Sequence, residues 1–239
     1  MRRAGGEGAR NEAADDVIDI AGVALIADAA GALYWAEQRL LVVADLHLEK
    51  GSSYAARGML LPPYDTAATL GALAALLERY RPQVLVALGD SFHDGDGPAR
   101  LADHDRAALK RLQEGCDWIW IAGNHDPDPR EGIGGSFATT LAIGALMFRH
   151  EPRADAQDGE IAGHLHPVAR VSTRGRSVRR RCFAADSRRV VMPALGAYAG
   201  GLNVRDVAFA GLFRDTGFIA HMLGDERVHS FPAMRCLLD

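Results

Sequence analysis

"LLVVADLHLEKG", residues 40–51, sets the reading of the whole chain. Leu40 to Ala44 is an uninterrupted apolar run, rich in branched side chains, as expected of a strand buried on both faces. A buried strand ordinarily fades into a turn. This one ends in Asp45 and His47, two groups that are costly to bury unless something compensates them. The same construction recurs downstream: "QVLVALGD" ends in Asp90, and "CDWIWIAGNHD" ends in Asn124, His125 and Asp126. Two helical patterns separate these strands. "YDTAATLGALAALLERYRP" has Asp65 placed as an N-cap and Pro82 as a stop, and "ARLADHDRAALKRLQEG" closes at Gly115. Strand, helix, strand, helix, strand implies a parallel sheet with helices on its faces.

Upstream, "GVALIADAAGALYWAEQRLLVVAD" reads as three strands turning at Gly31. Beyond residue 135 the pattern changes. "GALMFRHE", "EIAGHLH", "VARVST", "RRCFAAD", "RRVVMPAL", "VAFAGLF" and "GFIAHML" are short, turn-punctuated apolar runs and predict strands without helices. No linker composition divides the halves. The expected architecture is an α/β (α+β) sandwich: two packed mixed sheets flanked by helices, in one domain over 17–239. Residues 1–16 are expected to form a disordered tail.

Composition narrows the function classes. Hydrophobic residues at 48% support a real core, and the net charge of −4 excludes neither nucleic acid nor small anions. Three widely spaced cysteines with no CxxC argue for a reducing, cytoplasmic setting and against a disulfide frame or zinc ribbon. The N-terminus lacks the apolar core of a secretory signal, and no window approaches the roughly 18 apolar residues of a membrane span. Charge is uneven: from Arg170 to Arg189 lie eight arginines and one acid, Asp186, about +7 in a chain otherwise about −11.

Ligands gather beyond the carboxyl ends of parallel strands, so the clusters at Asp45/His47, Asp90 and Asn124–Asp126 are expected at one sheet edge. His150 and the pair His164/His166 end second-half strands in the same way. In an extended chain residues two apart share a face, which would aim Asp45 with His47, and His164 with His166, into a common site. Two acids, one Asn and four histidines, with His125 in addition, exceed what one metal needs. They suit two divalent ions sharing a carboxylate. Mixed oxygen and imidazole donors favour Mn, Fe, Zn or Co over Ca or Mg, with Mn taken here as the leading candidate.

The ordered blocks "DLH", "GDSFHD", "GNHD", a single intervening His and "GHLH" resemble the calcineurin-like metallophosphoesterase superfamily. "LLVVADLHLEKGSSYAARGMLLPPYDT", "IAGHLHP" and "VVMPALGAYAGG" are further similar to its bacterial ligase-associated DNA-damage-response endonucleases. The resemblance implies one metal held by Asp45, His47, Asp90 and His166. A second would be held by Asp90, Asn124, His150 and His164, with Asp90 bridging. It implies His125 as the proton donor to the leaving group and, more weakly, Asp126 as the residue orienting His125. It further implies DNA as substrate and repair ligases or helicases as partners. The motifs themselves establish only metal-dependent phosphoester chemistry.

The remaining polar residues carry two readings each. Asp94 braces its loop or acts directly in catalysis, and His93 is second to the ligands or faces substrate. His104, His221 and His229 match no motif. Arg149 beside His150 can contact a phosphate or be a surface charge. Arg176, Arg179 and Arg181 can hold a nucleic-acid backbone or form a solvated strand face. The main alternatives to a DNA phosphodiesterase are a phosphatase or pyrophosphatase for nucleotides or other small phosphates, and a non-catalytic scaffold of the same fold. The scaffold reading conflicts with the presence of His125 and every expected ligand. Oligomeric state is not encoded in any of these signals.

Overall fold

The structure, a computed structural model, describes residues 16–128, 132–173, 175–214 and 217–239. Two mixed sheets pack face to face. The first has strands β1 (Val17–Ile20), β2 (Val23–Ala27), β3 (Leu33–Trp35), β4 (Leu40–Val43), β5 (Val84–Leu88), β6 (Asp117–Ile121) and β7 (Ser136–Ala138), in that spatial order. Strands β4 to β7 run parallel, and β1 to β4 are antiparallel neighbours. Helices α1 (Lys50–Ala56) and α2 (Asp65–Tyr80) connect β4 to β5. Helices α3 (Gly97–Arg100) and α4 (Asp103–Gln113) connect β5 to β6.

The second sheet holds β8 (Thr140–Ile143), β9 (Leu146–Arg149), β10 (Glu160–Ala162), β11 (Val168–Thr173), β12 (Arg176–Ala185), β13 (Arg189–Val191), β14 (Ile219–Leu223) and β15 (Val228–Pro232). Its order is β15-β14-β12-β13-β10-β9-β8, with β11 hairpinned onto β12. Within it β9, β10 and β13 are mutually parallel.

All four residues of β4 are buried, and the period of two explains how. Leu40 and Val42 face the second sheet, packing with Val86, Leu88, Phe148, Ile161 and Phe183. Leu41 and Val43 face the helices, packing with Leu70, Leu73 and Leu76 of α2 and Leu109 of α4. The outer face of the second sheet has no helix over it among the described residues. Val204, Phe209, Leu212 and Cys236 cover Cys182, Ala184 and Met222 instead. The segment "VAFAGLF", expected to be a strand, supplies part of that cover as a 3-10 turn over Val207–Phe209. Asp206 caps it by accepting from Ala208 N at 2.9 Å.

Asp65 is not the N-cap of α2. That position belongs to Tyr64, and the Asp65 carboxylate accepts from Gly51 N at 3.0 Å, pinning α1 to α2. Strands β1, β7, β8 and β15 and helix α1 carry no strong sequence signal. The expected tail lies outside the described residues except for Asp16. Asp16 is tied in: its carbonyl accepts from Ala27 N at 2.7 Å and its carboxylate from Val228 N at 3.1 Å. Among the described residues, no helix is long and apolar enough to cross a membrane.

One charge pair lies wholly inside. Arg189 and Glu160 are each 1% exposed. An Arg189 Nη1 hydrogen is donated to Arg153 O at 2.9 Å, and the same nitrogen stands 3.3 Å from Glu160 Oε2. Burial raises the Glu160 pKa, and the guanidiniums of Arg189 and Arg149 oppose it. Removing one partner of such a pair leaves a buried charge uncompensated. Arg189→Ala is therefore expected to destabilise the chain by about 3–5 kcal/mol, measured by urea unfolding. The double replacement Arg189→Met with Glu160→Gln is expected to recover much of that loss.

Candidate metal centre

The carboxyl ends of β4, β5 and β6 meet those of β9 and β10 at one edge of the sandwich. Backbone bonds knit the edge: Leu195 N to Ala44 O at 2.9 Å, Gly196 N to Asp45 O at 3.1 Å, His47 N to Asp90 O at 2.9 Å and Gly163 N to His150 O at 2.9 Å. All seven expected ligands come together here. Ligand atoms of Asp45, His47 and His166 lie within 4.8 Å of one another, as do those of Asp90, His150 and His164. Asn124 Oδ1 is 2.9 Å from His150 Nε2. The Asp90 carboxylate lies between the groups, with Oδ1 3.3 Å from His150 Nε2 and Oδ2 4.0 Å from His47 Nε2.

The reason these side chains converge differs from the expected one. They do not sit on extended strands. Each strand has already ended, and Asp45 (φ 53°), His47 (φ 43°), Asp90 (φ 46°), His164 (φ 72°) and His166 (φ 45°) adopt left-handed backbone conformations. Non-glycine residues seldom do so, and Asp and His are among the types that tolerate it best. Residues two apart therefore point together through alternating local turns.

Glycines close the mould around them. A Cβ on Gly89 would stand 2.5 Å from the His150 ring, and one on Gly163 would stand 2.6 Å from Asp45 Oδ2.

The donor chemistry fits divalent cations. His150 Nδ1 donates to Leu88 O at 2.9 Å. Its Nε2 then faces Asn124 Oδ1, Asp90 Oδ1 and, at 3.1 Å, His164 Nδ1. Two oxygens and a second imidazole nitrogen thus converge on one point, a donor set that a cation there would satisfy. Burial opposes protonation of His150, but the Asp90 and Asp45 carboxylates and the Leu88 carbonyl outweigh it and raise the pKa to about 9. The site thus demands positive charge. Burial would raise Asp90, yet His150 and the His125 N–H bring it down to about 2. Burial and repulsion from His166 push His47 down to about 3, leaving it a neutral donor. His166 Nδ1 donates to Gly200 O at 3.3 Å, which turns its Nε2 towards Asp45 Oδ1, 3.2 Å away.

His125 falls in a third such group, its ligand atom within 4.8 Å of those of His47 and His93. Its Nδ1 donates to His93 O at 2.6 Å, and its Nε2 lies 3.8 Å from Asp90 Oδ2 on a side chain 38% exposed. Asp126 does not orient it. The Asp126 carboxylate accepts from Ser91 N at 2.8 Å, Phe92 N at 3.1 Å and Gly123 N at 3.2 Å, tying the loop after β5 to the loop after β6. Burial raises Asp126 to about 6 against those bonds. Asp94 accepts from Arg100 at 2.6 Å and from Asp96 N at 3.0 Å, which braces its loop. His93 packs its ring 5.2 Å from that of His125 and 5.6 Å from those of His47 and Tyr54. Burial, with the Lys50 charge, lowers it to about 4.

Two rim residues escaped the sequence reading. Lys50 donates to Tyr198 O at 3.0 Å, and Tyr54 lies beside His93. The scarcity of lysine, with Lys50 three residues after His47, was the available signal.

The basic segment is not a continuous free strip. Arg181 is half-buried and donates to Ala194 O at 2.6 Å, bracing the loop beside Asp45 rather than facing solvent. Arg179 forks onto Asp239 at 3.0 Å and reaches Gly201 O at 3.2 Å. Arg176 is exposed, but it pairs with Thr173 at the hairpin end remote from His166. Arg188 pairs with Asp158, and Arg189 is internal. Arg149 lies 3.5 Å from Glu160 and lines, with Asn124, His150 and Arg153, a groove of about 530 Å³.

Residues 38–179 match the sequence model of the calcineurin-like phosphoesterase family, so the chain belongs to that family and is a metal-dependent phosphoesterase. The nuclease MPE of Pseudomonas putida shares the fold at a TM-score of 0.69 with 28% sequence identity, over 90% of this chain and 98% of that one. No curated protein matches the chain by sequence.

Gly163→Ala tests how closely the mould fits. The added methyl meets the Asp45 carboxylate at 2.6 Å and the Ala44 Cβ at 3.1 Å, so the ligand is expected to be displaced while the strands keep their pairing. Apparent Mn²⁺ affinity by calorimetric titration should fall roughly 10–100-fold, with the circular dichroism spectrum unchanged.

Proposed function

We propose that the protein is a two-metal phosphodiesterase acting on DNA, an endonuclease serving repair in the cytoplasm, with Mn²⁺ as its preferred ion. One observation carries the reading: His125 is held through Nδ1 by a backbone carbonyl while Nε2, on a partly exposed side chain, stands 3.8 Å from the central Asp90 carboxylate. A scaffold has no use for that arrangement. Asp45, His47, Asp90 and His166 would hold one ion, and Asp90, Asn124, His150 and His164 the other. When bound, the ions supply Lewis acidity that activates a water and neutralises charge on the phosphate oxygens.

The chain's own groups do the rest. His125 delivers a proton from Nε2 to the departing oxygen. The backbone bond to His93 O fixes its ring, and Asp126 fixes the relative position of the two loops that carry Asp90 and His125. Arg149 in the adjoining groove offers a cation to a neighbouring phosphate. The open rim, with His125 and the groove both solvent-facing, suits a polymer better than an enclosed small phosphate.

Likeness to a nuclease supports nucleic acid as substrate, and the endonuclease-like motifs support a link to repair ligases or helicases. We also read residues 17–239 as one catalytic domain, since the inter-sheet cluster draws on Ile18 at one end and Val228 at the other. Unpaired Cys116, Cys182 and Cys236 accord with a reducing compartment.

The deciding assay compares Mn-reconstituted protein on single-stranded DNA, duplex DNA, a cyclic nucleotide and bis-p-nitrophenyl phosphate. DNA cleavage abolished by a chelator is expected. Hydrolysis confined to the cyclic nucleotide would refute the DNA reading.

Two variants separate the roles. Asp90→Asn should lose bound metal by elemental analysis, from two ions per chain in the parent protein. His125→Ala should keep its metal while turnover on DNA falls roughly 10²–10⁴-fold. Its defect should shrink on bis-p-nitrophenyl phosphate, whose leaving group needs no proton.

A further inference from the structure

Beside the metal centre, behind the loops that carry Asp90 and His125, lies a second cavity of about 190 Å³. Its walls include Ser91, Phe92, Trp120, Asp126, Phe137 and Thr139, and among the described residues no Lys or Arg lines it. The aromatic rings form a ladder from core to surface. Trp118 and Trp120 lie 5.1 Å apart, and Trp120 and Phe137 lie 6.4 Å apart with planes 24° from parallel. The ladder ends on β7, the edge strand of its sheet, where Phe137 is 38% exposed while Trp120 is only 2% exposed. The Trp120 indole N–H is already donated to Gly134 O at 2.9 Å, so the ring presents only its faces and edges.

One polar group in this wall has no partner. Ser91 is 2% exposed, and its Oγ makes no hydrogen bond among the described residues. An unpaired buried hydroxyl is destabilising, and a ligand donor or acceptor would relieve it.

From these observations we infer that the cavity is a nucleobase subsite, in which one base of a single-stranded substrate extends the Trp120–Phe137 ladder and hydrogen-bonds Ser91 Oγ. The inference rests on the nucleic-acid reading above and assigns that reading a place where a base is held. Among the described residues, the charge and shape of the wall select the occupant. Asp126 and Asp128 on the wall repel a phosphate, whereas a base is flat, uncharged and carries donors and acceptors on its edge. Position agrees: Ser91 follows Asp90 and Asp126 follows His125, and consecutive Cα atoms are about 3.8 Å apart. A base seated here therefore belongs to a nucleotide adjoining the phosphate at the metal centre.

The test walks a single abasic position along a fluorescent single-stranded oligonucleotide. Equilibrium binding is read by anisotropy for the parent protein, Phe137→Ala and Phe137→Trp. A stacked base contributes enough that its loss weakens binding by roughly 5- to 150-fold. At one position, and one only, the lesion should weaken the parent protein and Phe137→Trp by that factor. It should add little to the defect already present in Phe137→Ala. Thermal unfolding confirms that both variants are folded, as expected for a half-exposed edge residue. If every lesion weakens Phe137→Ala as much as the parent while the oligonucleotide is still cut, the subsite is wrong and the nuclease reading stands. If the oligonucleotide is neither bound nor cut while bis-p-nitrophenyl phosphate is hydrolysed, the nucleic-acid reading fails and takes the subsite with it.

Discussion

The structure depends on one electrostatic constraint: two carboxylates, Asp45 and Asp90, are almost fully withdrawn from water at the ends of strands buried on both faces. Asp45 is 0% exposed and Asp90 3% exposed. An isolated carboxylate in such a place would take up a proton or disrupt the fold. Neither retreats to solvent, because β4 and β5 are committed to the core on both sides. His150 and His166 fix their ring orientations through backbone carbonyls and turn Nε2 inward. The arrangement is coherent once a multivalent cation is placed at its centre, and it is incoherent as a purely hydrogen-bonded network.

The parts of this that sequence reveals are those set by solvation. Apolar runs ending abruptly in Asp45, Asp90 and Asn124 mark strands that lead to a compensated charge. The spacing of helices between them gives the parallel order of β4, β5 and β6. The parts that sequence hides are set by local backbone geometry and by side-chain competition. Left-handed conformations at Asp45 or His166 have no compositional signature, since neither position is glycine. Asp126 is an obvious candidate to orient His125, yet three backbone N–H groups claim its carboxylate first. Arg181 and Arg189 contribute to an apparently basic strip, but backbone carbonyls and Glu160 absorb them. A charge count cannot distinguish a guanidinium that faces water from one that braces a loop.

The second sheet shows a related limit. Val207–Phe209 has the apolar content of a strand, but its role is to cover the outer face of β12 and β14 where no helix does. Apolar content reports that a residue is buried, and chain connectivity decides against what. Edge strands such as β7 and β8 are half-exposed and short, so they fall below the contrast that marks β4.

The left-handed ligand positions have an evolutionary consequence. Each non-glycine residue held there costs the fold roughly 1–2 kcal/mol, and the clustered acids and imidazoles add repulsion whenever no cation is present. Losing a ligand to glycine removes both burdens together. Selection for stability alone therefore runs against catalysis at this edge of the sandwich. Descendants released from the need to cut phosphoesters would drift readily into inert, sturdier binding proteins with the same two sheets.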